Sequence, residues 1–453
     1  MFLAKSVPLV FSAIAARRFL WYDAEKARLT PRGKREYETM TRRKPWLYVV
    51  LGVLVLLCAG MVYAWSVLSA PIARDFPKWS AAQLSLAFTL VMISFCLGGL
   101  VGGALAGKLS QKTLLLIAAA LFFAGFFFTG RIQTLAGLYL SFGLVCGLGS
   151  GLAYNAVIAT VNKWFPGKQG LVSGILLMGF GLSSLLIGKL YQALTPETVG
   201  AWRASFTVLG VATALCVALC GLFLEKPGAD FAVAEPARRR SRPVNPVAME
   251  ATTAQMLRQG SFWLFYLWAI LLTAAGLAIV SQSGGMAREL NAGISASTVA
   301  TLVGLIAVCN ALGRVLAGAL YDRFGRASAM QSVNFLFLLA GGVLLTALQS
   351  GRAALLIPGF ILGGLAYGGV TPTNTAFVSS YFGLKHFALN LPIFVTNLIP
   401  ASFGSTVAGA LYDASGSYRL CFVLVAALAA AGVLVTLALD LSDRRTLRRG
   451  SKS

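Results

Sequence analysis

The chain has 453 residues, of which 57% are hydrophobic and 12% are charged. An average soluble domain carries roughly 25% charged residues, so the composition excludes a water-soluble globule. The formal net charge of +23 would suit either nucleic acid or a membrane surface, and the placement of the basic residues has to decide between them.

Apolar runs of about twenty residues recur along the chain, and each is long enough to cross a hydrocarbon core of roughly 30 Å as an α-helix. Helices are the expected form because lipid cannot satisfy backbone polar groups, so each segment must satisfy its own. The sequence predicts twelve spans: 46–69, 81–106, 112–130, 135–161, 170–191, 202–224, 262–283, 296–320, 328–348, 353–379, 387–411 and 418–440. The fold class is therefore an all-α membrane protein with twelve transmembrane helices.

Three polar segments flank or divide these spans. Residues 1–45 form a basic cytoplasmic extension whose one apolar stretch is too short to span, and an interfacial helix fits it better than a cleaved signal peptide. Residues 226–261 are rich in Pro, Ala and Arg and are predicted to be a cytoplasmic linker. Residues 441–453 are a basic tail. The spans therefore form two six-helix halves, 46–225 and 262–440.

The basic residues indicate how the chain is oriented. With the N-terminus inside, 29 of the 38 Lys and Arg residues fall in cytoplasmic segments and 8 in outer loops. The positive-inside rule then places both termini in the cytoplasm. We expect the protein to lie in the inner membrane. We expect the basic loops to contact anionic lipids and not nucleic acid. The seven cysteines fall within spans and the single histidine, His386, in a loop, so we expect no metal site and no cofactor.

The two halves resemble each other at a nearly constant offset. Gly103, followed by Ala and Leu, recurs as Gly318 with the same neighbours, 215 residues later, and Tyr154 matches Tyr367, 213 residues later. A duplicated six-helix unit places a cavity between its two copies, open to each side of the membrane in turn. Closely spaced glycines in the spans indicate tight helix packing and not a dinucleotide-binding loop, because no strand precedes them.

A charged loop follows predicted span eight. It carries Gly318, Asp322, Arg323, Gly325 and Arg326. This spacing resembles the G-x-x-x-D-R-x-G-R loop of the major facilitator superfamily. The first-half counterpart, which starts at Gly103, lacks the acid and the second glycine. Asp322 can accept hydrogen bonds from a helix N-terminus or pair with an arginine in one conformation, so we predict a conformational loop and not a substrate ligand.

Other segments resemble the oxalate:formate antiporters, relatives of the monocarboxylate transporters within that superfamily. The resemblance covers roughly residues 46–440. It is carried by Tyr63, Trp65 and Ser66, by Trp164, Pro166, Lys168 and Gly174, by Asn310, Gly313 and Arg314, and by Tyr381, Phe382, Lys385 and His386. The resemblance implies the major facilitator fold and secondary active transport of a small organic anion by alternating access, with antiport as the mode. We expect a monomer.

Arg314 is the only basic residue in the interior of a predicted span, because Lys112, Lys189, Arg203 and Arg419 lie within two residues of span ends, and all 15 acids lie in loops, tails or span ends. An arginine at depth costs about 2.5–3.5 kcal/mol on insertion scales, so it normally marks a pathway or a partner. Snorkelling is the alternative, because Arg314 lies about 9 Å from the end of span eight. Helical side chains lean toward their own N-terminus, however, which directs this one toward the bilayer centre. We therefore predict that Arg314 binds a carboxylate substrate, which serves as its counter-ion.

Two further positions refine the predicted substrate. Asn310 lies one turn before Arg314 and can orient it or bind the ligand. The resemblance puts an Asp of the monocarboxylate transporters, which takes part in proton coupling, at this position, so Asn favours antiport over proton symport. It also puts a cavity lysine of the oxalate antiporters at or beside Leu398. Since that second cation is absent, a monoanion such as lactate, pyruvate or formate is expected.

Polar and aromatic residues from both halves complete the predicted site: Tyr63, Tyr154, Asn155, Tyr367 and Asn397. Tyrosine offers a hydroxyl to a carboxylate while its ring excludes water. Trp65 suits a cavity wall and an interfacial aromatic belt equally well.

Other functions remain as alternatives. A drug or sugar carrier of the same superfamily is one, and a solute sensor that binds without transporting is another. Cation exporters would be expected to keep an acid within a span. An intramembrane enzyme would need a nucleophile with a base or a metal cluster, and the single histidine is misplaced for that. The sequence therefore predicts a carrier and not an enzyme.

Overall fold

The structure, a computed structural model, describes residues 31–79, 81–196, 198–227, 248–290 and 296–450. The chain divides into two compact units, residues 1–47 and 48–453. In the first unit the described residues, 31–47, are helical, while the rest of the predicted basic extension lies outside the described residues. All the predicted site residues belong to the second unit.

The part of the chain before the predicted linker is called the first half below. Its helices are α1 (Pro31–Ala59), α2 (Trp65–Asp75), α3 (Ala81–Leu105), α4 (Gln111–Thr129), α5 (Leu135–Leu138), α6 (Gly147–Val161), α7 (Gln169–Leu194) and α8 (Trp202–Phe223). A 3₁₀ turn, Gly60–Ala64, joins α1 to α2, and a π-helix, Tyr139–Cys146, joins α5 to α6. These joints lie within predicted spans one and four, which are therefore continuous but irregular.

The part after the linker is called the second half. Its helices are α9 (Thr253–Leu257), α10 (Gly260–Leu290), α11 (Ala296–Ser350), α12 (Leu356–Phe382), α13 (Phe387–Val395), α14 (Leu398–Ala401), α15 (Phe403–Ser415) and α16 (Arg419–Gly450). The short helix α9 lies within the predicted linker. It begins with a capping box, in which the side chains of Thr252 and Gln255 each accept a hydrogen bond from the other's backbone N–H.

Within the described residues, 11 helical segments are long and apolar enough to cross a membrane. One of them, Thr301–Ser350, has 50 residues, about twice the length that one crossing requires. Gly325 interrupts it with φ of +84°, a backbone conformation that glycine adopts without steric cost. This segment therefore holds predicted spans eight and nine, which brings the number of crossings to the predicted twelve.

Close backbone contacts join the two halves. A Cβ atom on Gly318 of α11 would lie closer than 3.0 Å to the backbone of Gly170 in α7, and one on Gly103 of α3 would lie equally close to Ala388 in α13. Only glycine permits such an approach, as small residues do in membrane helix packing. Because the chain alternates direction at each span, both contacts lie at the end of the bundle that carries Asp322. This end is called the Asp322 end.

Candidate functional site

Arg314 of α11 reaches across to the first half. Its Nη1 donates a hydrogen bond of 2.7 Å to the carbonyl oxygen of Leu177 in α7. Its Nε donates to Oδ1 of Asn310, 3.0 Å away and one turn earlier on α11. The first bond joins the halves, and the second holds the guanidinium in one orientation. Asn310 therefore stands as an orienting residue in this conformation.

Two glycines of α7 make room for this arginine. A Cβ on Gly174 would lie closer than 3.0 Å to the backbone of Arg314, while a Cβ on Gly181 would lie 3.2 Å from its Cζ. Seven residues along a helix correspond to about 10 Å. The side chain therefore runs from its backbone toward the middle of the bundle and away from the Asp322 end, which is the orientation that the helical tilt of side chains favours.

The guanidinium borders a small cavity of about 40 Å³ between the halves. This Arg314 cavity is lined by Phe95, Tyr154, Leu177 and Phe180 of the first half, and by Thr273, Arg314, Tyr367, Thr371, Asn374, Thr375, Leu391, Val395, Asn397 and Leu398 of the second. Three of the predicted binding residues, Tyr154, Tyr367 and Asn397, thus join Arg314 around one space.

Two amide side chains of this cavity have unsatisfied oxygens. Asn374 is 7% exposed and Asn397 is 1% exposed, and Oδ1 of each finds no hydrogen-bond partner among the described residues. Asn397 lies at the break between α13 and α14, where its Nδ2 donates to the carbonyl oxygen of Phe394. A buried polar atom without a partner is costly, so these oxygens mark places where a ligand or water would bind.

The other predicted residues lie elsewhere. Asn155 lines a different cavity at the Asp322 end, and its Nδ2 donates to the carbonyl oxygen of Ala388 at 2.8 Å. The side chain of Tyr63 lies outside the described residues. Trp65 is 5% exposed, donates from Nε1 to the carbonyl oxygen of Leu84 and stacks on Phe142. Trp65 therefore packs inside the first half and lines neither cavity.

Asp322 binds the start of a helix in the other half. Its Oδ1 accepts from the backbone N–H of Gly170 at 3.0 Å, and its Oδ2 from that of Leu171 at 2.7 Å. These groups open α7, where the helix dipole favours a negative charge. The carboxylate therefore holds α7 against α11 in this conformation, one of the two arrangements that the sequence allows.

Arg326 holds the same loop to the last helix. Its Nη2 pairs with carboxylates of Asp440 and Asp443, and its Nε donates to the hydroxyl of Tyr381 at 2.8 Å. The hydroxyl of Tyr381 in turn donates to Asp443. Arg323, by contrast, is exposed and rests on the ring of Phe324. Of the two loop arginines, Arg326 is thus the one that fixes the loop to α16.

Sequence reasoning missed several parts of the Arg314 cavity. Thr371 and Thr375 line it from α12, one turn apart, and Thr273 lines it from α10. The helical spacing of the two α12 threonines beside Tyr367 was a usable signal. The acceptor of the Arg314 bond, the backbone oxygen of Leu177, gives no signal in a sequence.

Comparison with known proteins defines the class. The family model described as Major Facilitator Superfamily matches residues 49–391 and 283–452. The chain belongs to the Major Facilitator Superfamily. Its structure resembles that of a bacterial homologue of the iron transporter ferroportin in an outward-facing state, with a TM-score of 0.64 and 18% identity over 88% of this chain and 99% of that one. The predicted all-α fold of twelve membrane helices is thereby confirmed.

Among curated proteins, the chain is 25% identical to the uncharacterized MFS-type transporter YhjX of Escherichia coli, covering 77% of this chain and 83% of that one. It is 26% identical to the oxalate:formate antiporter of Oxalobacter formigenes, covering 84% and 88%. It is 27% identical to monocarboxylate transporter 13 of Bos taurus, covering 75% and 76%. The family resemblance predicted from the motifs is confirmed, and the protein is a multi-pass membrane transporter and not an enzyme.

Proposed function

We propose that the protein is a secondary transporter that exchanges small organic anions, each bound through one carboxylate to Arg314. The observation that carries this proposal is the position of the guanidinium, which borders a cavity lined by both halves and donates a hydrogen bond from one half to the other. A substrate that binds there meets both halves at once, as alternating access requires.

Arg314 offers a physical link between binding and movement. Hydrogen bonds between a guanidinium and a carboxylate are charge-assisted and roughly twice as strong as those to a neutral carbonyl. A substrate carboxylate therefore competes well with the carbonyl of Leu177 for Nη1. Exchange of that partner would free α7 from α11 at this point, so that the halves can move when substrate is bound.

The size and chemistry of the cavity favour a small monoanion. Its volume of about 40 Å³ corresponds to roughly three water positions, since each needs about 10–15 Å³ on this measure. Leu398, at or beside the position of the second cation of the oxalate antiporters, lines the cavity with a hydrocarbon side chain. The names of two relatives, an oxalate:formate antiporter and a monocarboxylate transporter, support the carboxylate class.

The proposal includes the orientation of the chain. The Asp322 end is taken as the cytoplasmic end of a monomer in the inner membrane, with both termini on that side, because the basic loops concentrate there. Anionic lipid headgroups then neutralise those loops. The division into halves at 46–225 and 262–440, with a linker at 226–261, belongs to the same proposal.

Counterflow into proteoliposomes tests the function. Vesicles are loaded with unlabelled lactate, formate or oxalate, and uptake of labelled lactate is followed at two pH values. Exchange predicts that preloading accelerates uptake, whereas a sensor predicts binding without accumulation. Arg314→Ala should lower uptake by about 30-fold or more, since truncating one member of a buried charged pair costs at least about 2 kcal/mol. Arg314→Lys keeps the positive charge but loses the planar pair of donors that matches a carboxylate, so it should recover only part of the uptake.

Arg352→Ala is the matched control, because Arg352 is an exposed arginine in a loop at the opposite end of the bundle. It should transport as the unaltered chain does. If Arg314→Ala folds, inserts and still exchanges lactate at the normal rate, Arg314 is not the substrate site.

A further inference from the structure

A second and larger cavity, of about 260 Å³, lies at the Asp322 end. Its basic lining residues are Lys163, Lys226, Lys385 and His386, and it is called the lysine cavity. Residues of α3 and α6 from the first half face the start of α13 across it. None of the described residues that line it is Asp or Glu. A cleft lined by charge of one sign concentrates ions of the opposite sign.

Two buried side-chain oxygens of this cavity lack hydrogen-bond partners among the described residues. Asn155 and Thr160 are each 1% exposed, and neither Oδ1 of Asn155 nor Oγ1 of Thr160 has a hydrogen-bond partner among the described residues. A helical threonine can donate to the carbonyl four residues back. That carbonyl, on Ala156, already accepts from Nε2 of Gln111. The lining thus combines lysine ammonium groups with a hydroxyl and an amide oxygen left for a ligand.

The duplicated halves explain why none of the described residues that line this cavity is an acid. Gly318 packs against the backbone of Gly170, and four residues later Asp322 binds the start of α7. Gly103 packs in the same way against Ala388 at the start of α13.

Four residues after Gly103 stands Gly107, which lines the lysine cavity and has open space around a built Cβ. The first half therefore keeps the packing but lacks the carboxylate.

We propose that the lysine cavity is a second binding site for small carboxylates, and that the bound carboxylate takes the place in the first half that Asp322 takes in the second. The lysines and the positive end of α13 attract the anion, and the hydroxyl of Thr160 donates to it. Oδ1 of Asn155 accepts from a ligand hydroxyl, which makes lactate a suitable probe. The choice of a carboxylate, although not the existence of an anion site, rests on the proposed function.

The occupied site closes this end of the transporter. Asn155 already joins the halves through its bond to the carbonyl of Ala388. An anion between the lysines and the start of α13 adds a second link beside it. The volume of the lysine cavity, about 260 Å³ against about 40 Å³ at Arg314, admits a carboxylate with bound water. The anion would then lose water before it reaches the inner site.

A cysteine at position 107 provides a direct reporter. Gly107→Cys is sterically allowed, and Gly260→Cys is its matched control, because Gly260 lies at the same end, is exposed and also has open space. The full chain in proteoliposomes is labelled with a negatively charged methanethiosulfonate and with its positively charged analogue. We expect the ratio of the labelling rate with the negative reagent to that with the positive reagent to be at least tenfold higher at position 107 than at position 260. Lactate should slow labelling by the negative reagent at least fivefold at position 107 and leave position 260 unchanged.

The measurement is repeated with Arg314→Ala in the background, so that protection through the inner site is removed. Lactate should still protect the cysteine at position 107 in that background. Combining Lys163→Gln with Lys385→Gln should abolish the protection. Lys108→Gln should leave it unchanged, because Lys108 is an exposed lysine at the same end. Protection that disappears with Arg314→Ala alone, or survives loss of both lysines, overturns the second site. If the chain that keeps Arg314 does not exchange lactate while protection at position 107 persists, the proposed function is overturned and this site stands.

Gly107→Asp gives an independent test by supplying the missing carboxylate. We expect the Arg314→Ala chain to gain thermal stability with lactate, because a ligand that binds the folded state stabilises it. Addition of Gly107→Asp should raise the melting temperature without lactate and abolish the lactate response. A lactate response that is unchanged by Gly107→Asp contradicts the proposal.

Discussion

Gly174 and Arg314 meet across the two halves with no room for a side chain between them. A Cβ on Gly174 would lie closer than 3.0 Å to the carbonyl oxygen of Arg314, whose own side chain then passes Gly181 further along α7. The backbone that carries the candidate substrate ligand is therefore pressed against the opposite half. Any widening of this contact changes both the cavity and the closure of the Asp322 end.

Gly174→Ala should separate α7 from α11 and destabilise this conformation. Overpacking a tight contact typically costs about 1–3 kcal/mol, and here the neighbouring atoms are backbone, which yields least. We expect a lower melting temperature in detergent and reduced lactate exchange. Gly342→Ala is the control, since a Cβ there meets nothing within 4 Å. Equal melting temperatures and exchange rates for the two variants would contradict the contact.

Asp322→Asn should weaken the closure of the Asp322 end. The backbone N–H groups of Gly170 and Leu171 lose a charged acceptor, and hydrogen bonds to charged groups contribute about 1.5–3 kcal/mol each. A loss of about 1.4 kcal/mol already shifts a two-state equilibrium tenfold. We expect Thr375→Cys, in the wall of the Arg314 cavity, to be labelled at least tenfold faster from this side when Asp322→Asn is added.

Asp413→Asn is the control for loss of a carboxylate, because Asp413 is exposed and lies at the opposite end. It should leave the labelling of Thr375→Cys unchanged. If Asp322→Asn also leaves the labelling unchanged, its two hydrogen bonds do not determine which side is closed.

The membrane spans are predictable because lipid leaves a backbone no partner except its own helix. Predicted span six, residues 202–224, is thus observed as Trp202–Phe223. Irregularities inside spans are less predictable. The π-helix Tyr139–Cys146 keeps the hydrophobic pattern of an ordinary helix, so composition does not reveal it. The break at Asn397 likewise depends on how α13 and α14 pack and not on hydropathy.

The candidate site was predictable only where a side chain is of a kind that is rare within a membrane span. Arg314 stands out as a charge within a span, whereas its partner, the carbonyl of Leu177, is a group that every residue carries. Tyr154 and Asn155 show a second limit. Neighbours on a helix point about 100° apart, so one lines the Arg314 cavity and the other the lysine cavity. The rotation of α6 about its own axis, which determines the side chains that face the other half, cannot be read from the sequence.

Arg326→Ala should destabilise the second half. The side chain of Arg326 is 9% exposed and pairs with those of Asp440 and Asp443, which are 32% and 18% exposed. Removing one partner of a buried ion pair costs about 3–5 kcal/mol, and the partial exposure of the carboxylates places this case near the lower figure. Thermal unfolding measures the loss. Arg323→Ala, an exposed neighbour, should stay within about 0.5 kcal/mol of the unaltered chain.

A double-mutant cycle separates the ion pair from general damage to the loop. Arg326→Ala, Asp443→Asn and their combination should show a coupling of at least about 1 kcal/mol, because the two side chains are in contact. Strict additivity of the two single losses would show that the pair does not stabilise the fold.

Leu398→Lys should change the preferred substrate from monocarboxylates to dicarboxylates. Leu398 lines the Arg314 cavity beside Asn397, so a lysine there would place a second cation in the same space. A dicarboxylate could then bind one cation with each end, whereas a monocarboxylate would leave one positive charge buried without a counter-ion, which is costly. We expect oxalate to compete with labelled lactate at least tenfold better than in the unaltered chain, and lactate exchange itself to fall.

Leu398→Met controls for a change of shape without charge, since the two side chains are similar in volume. It should preserve the preference for lactate. Because the added ammonium acts through Arg314, the gain for oxalate should vanish when Arg314→Ala is combined with Leu398→Lys. An oxalate preference that appears with Leu398→Met, or that survives removal of Arg314, would mean that cavity shape and not a pair of cations determines which anion binds.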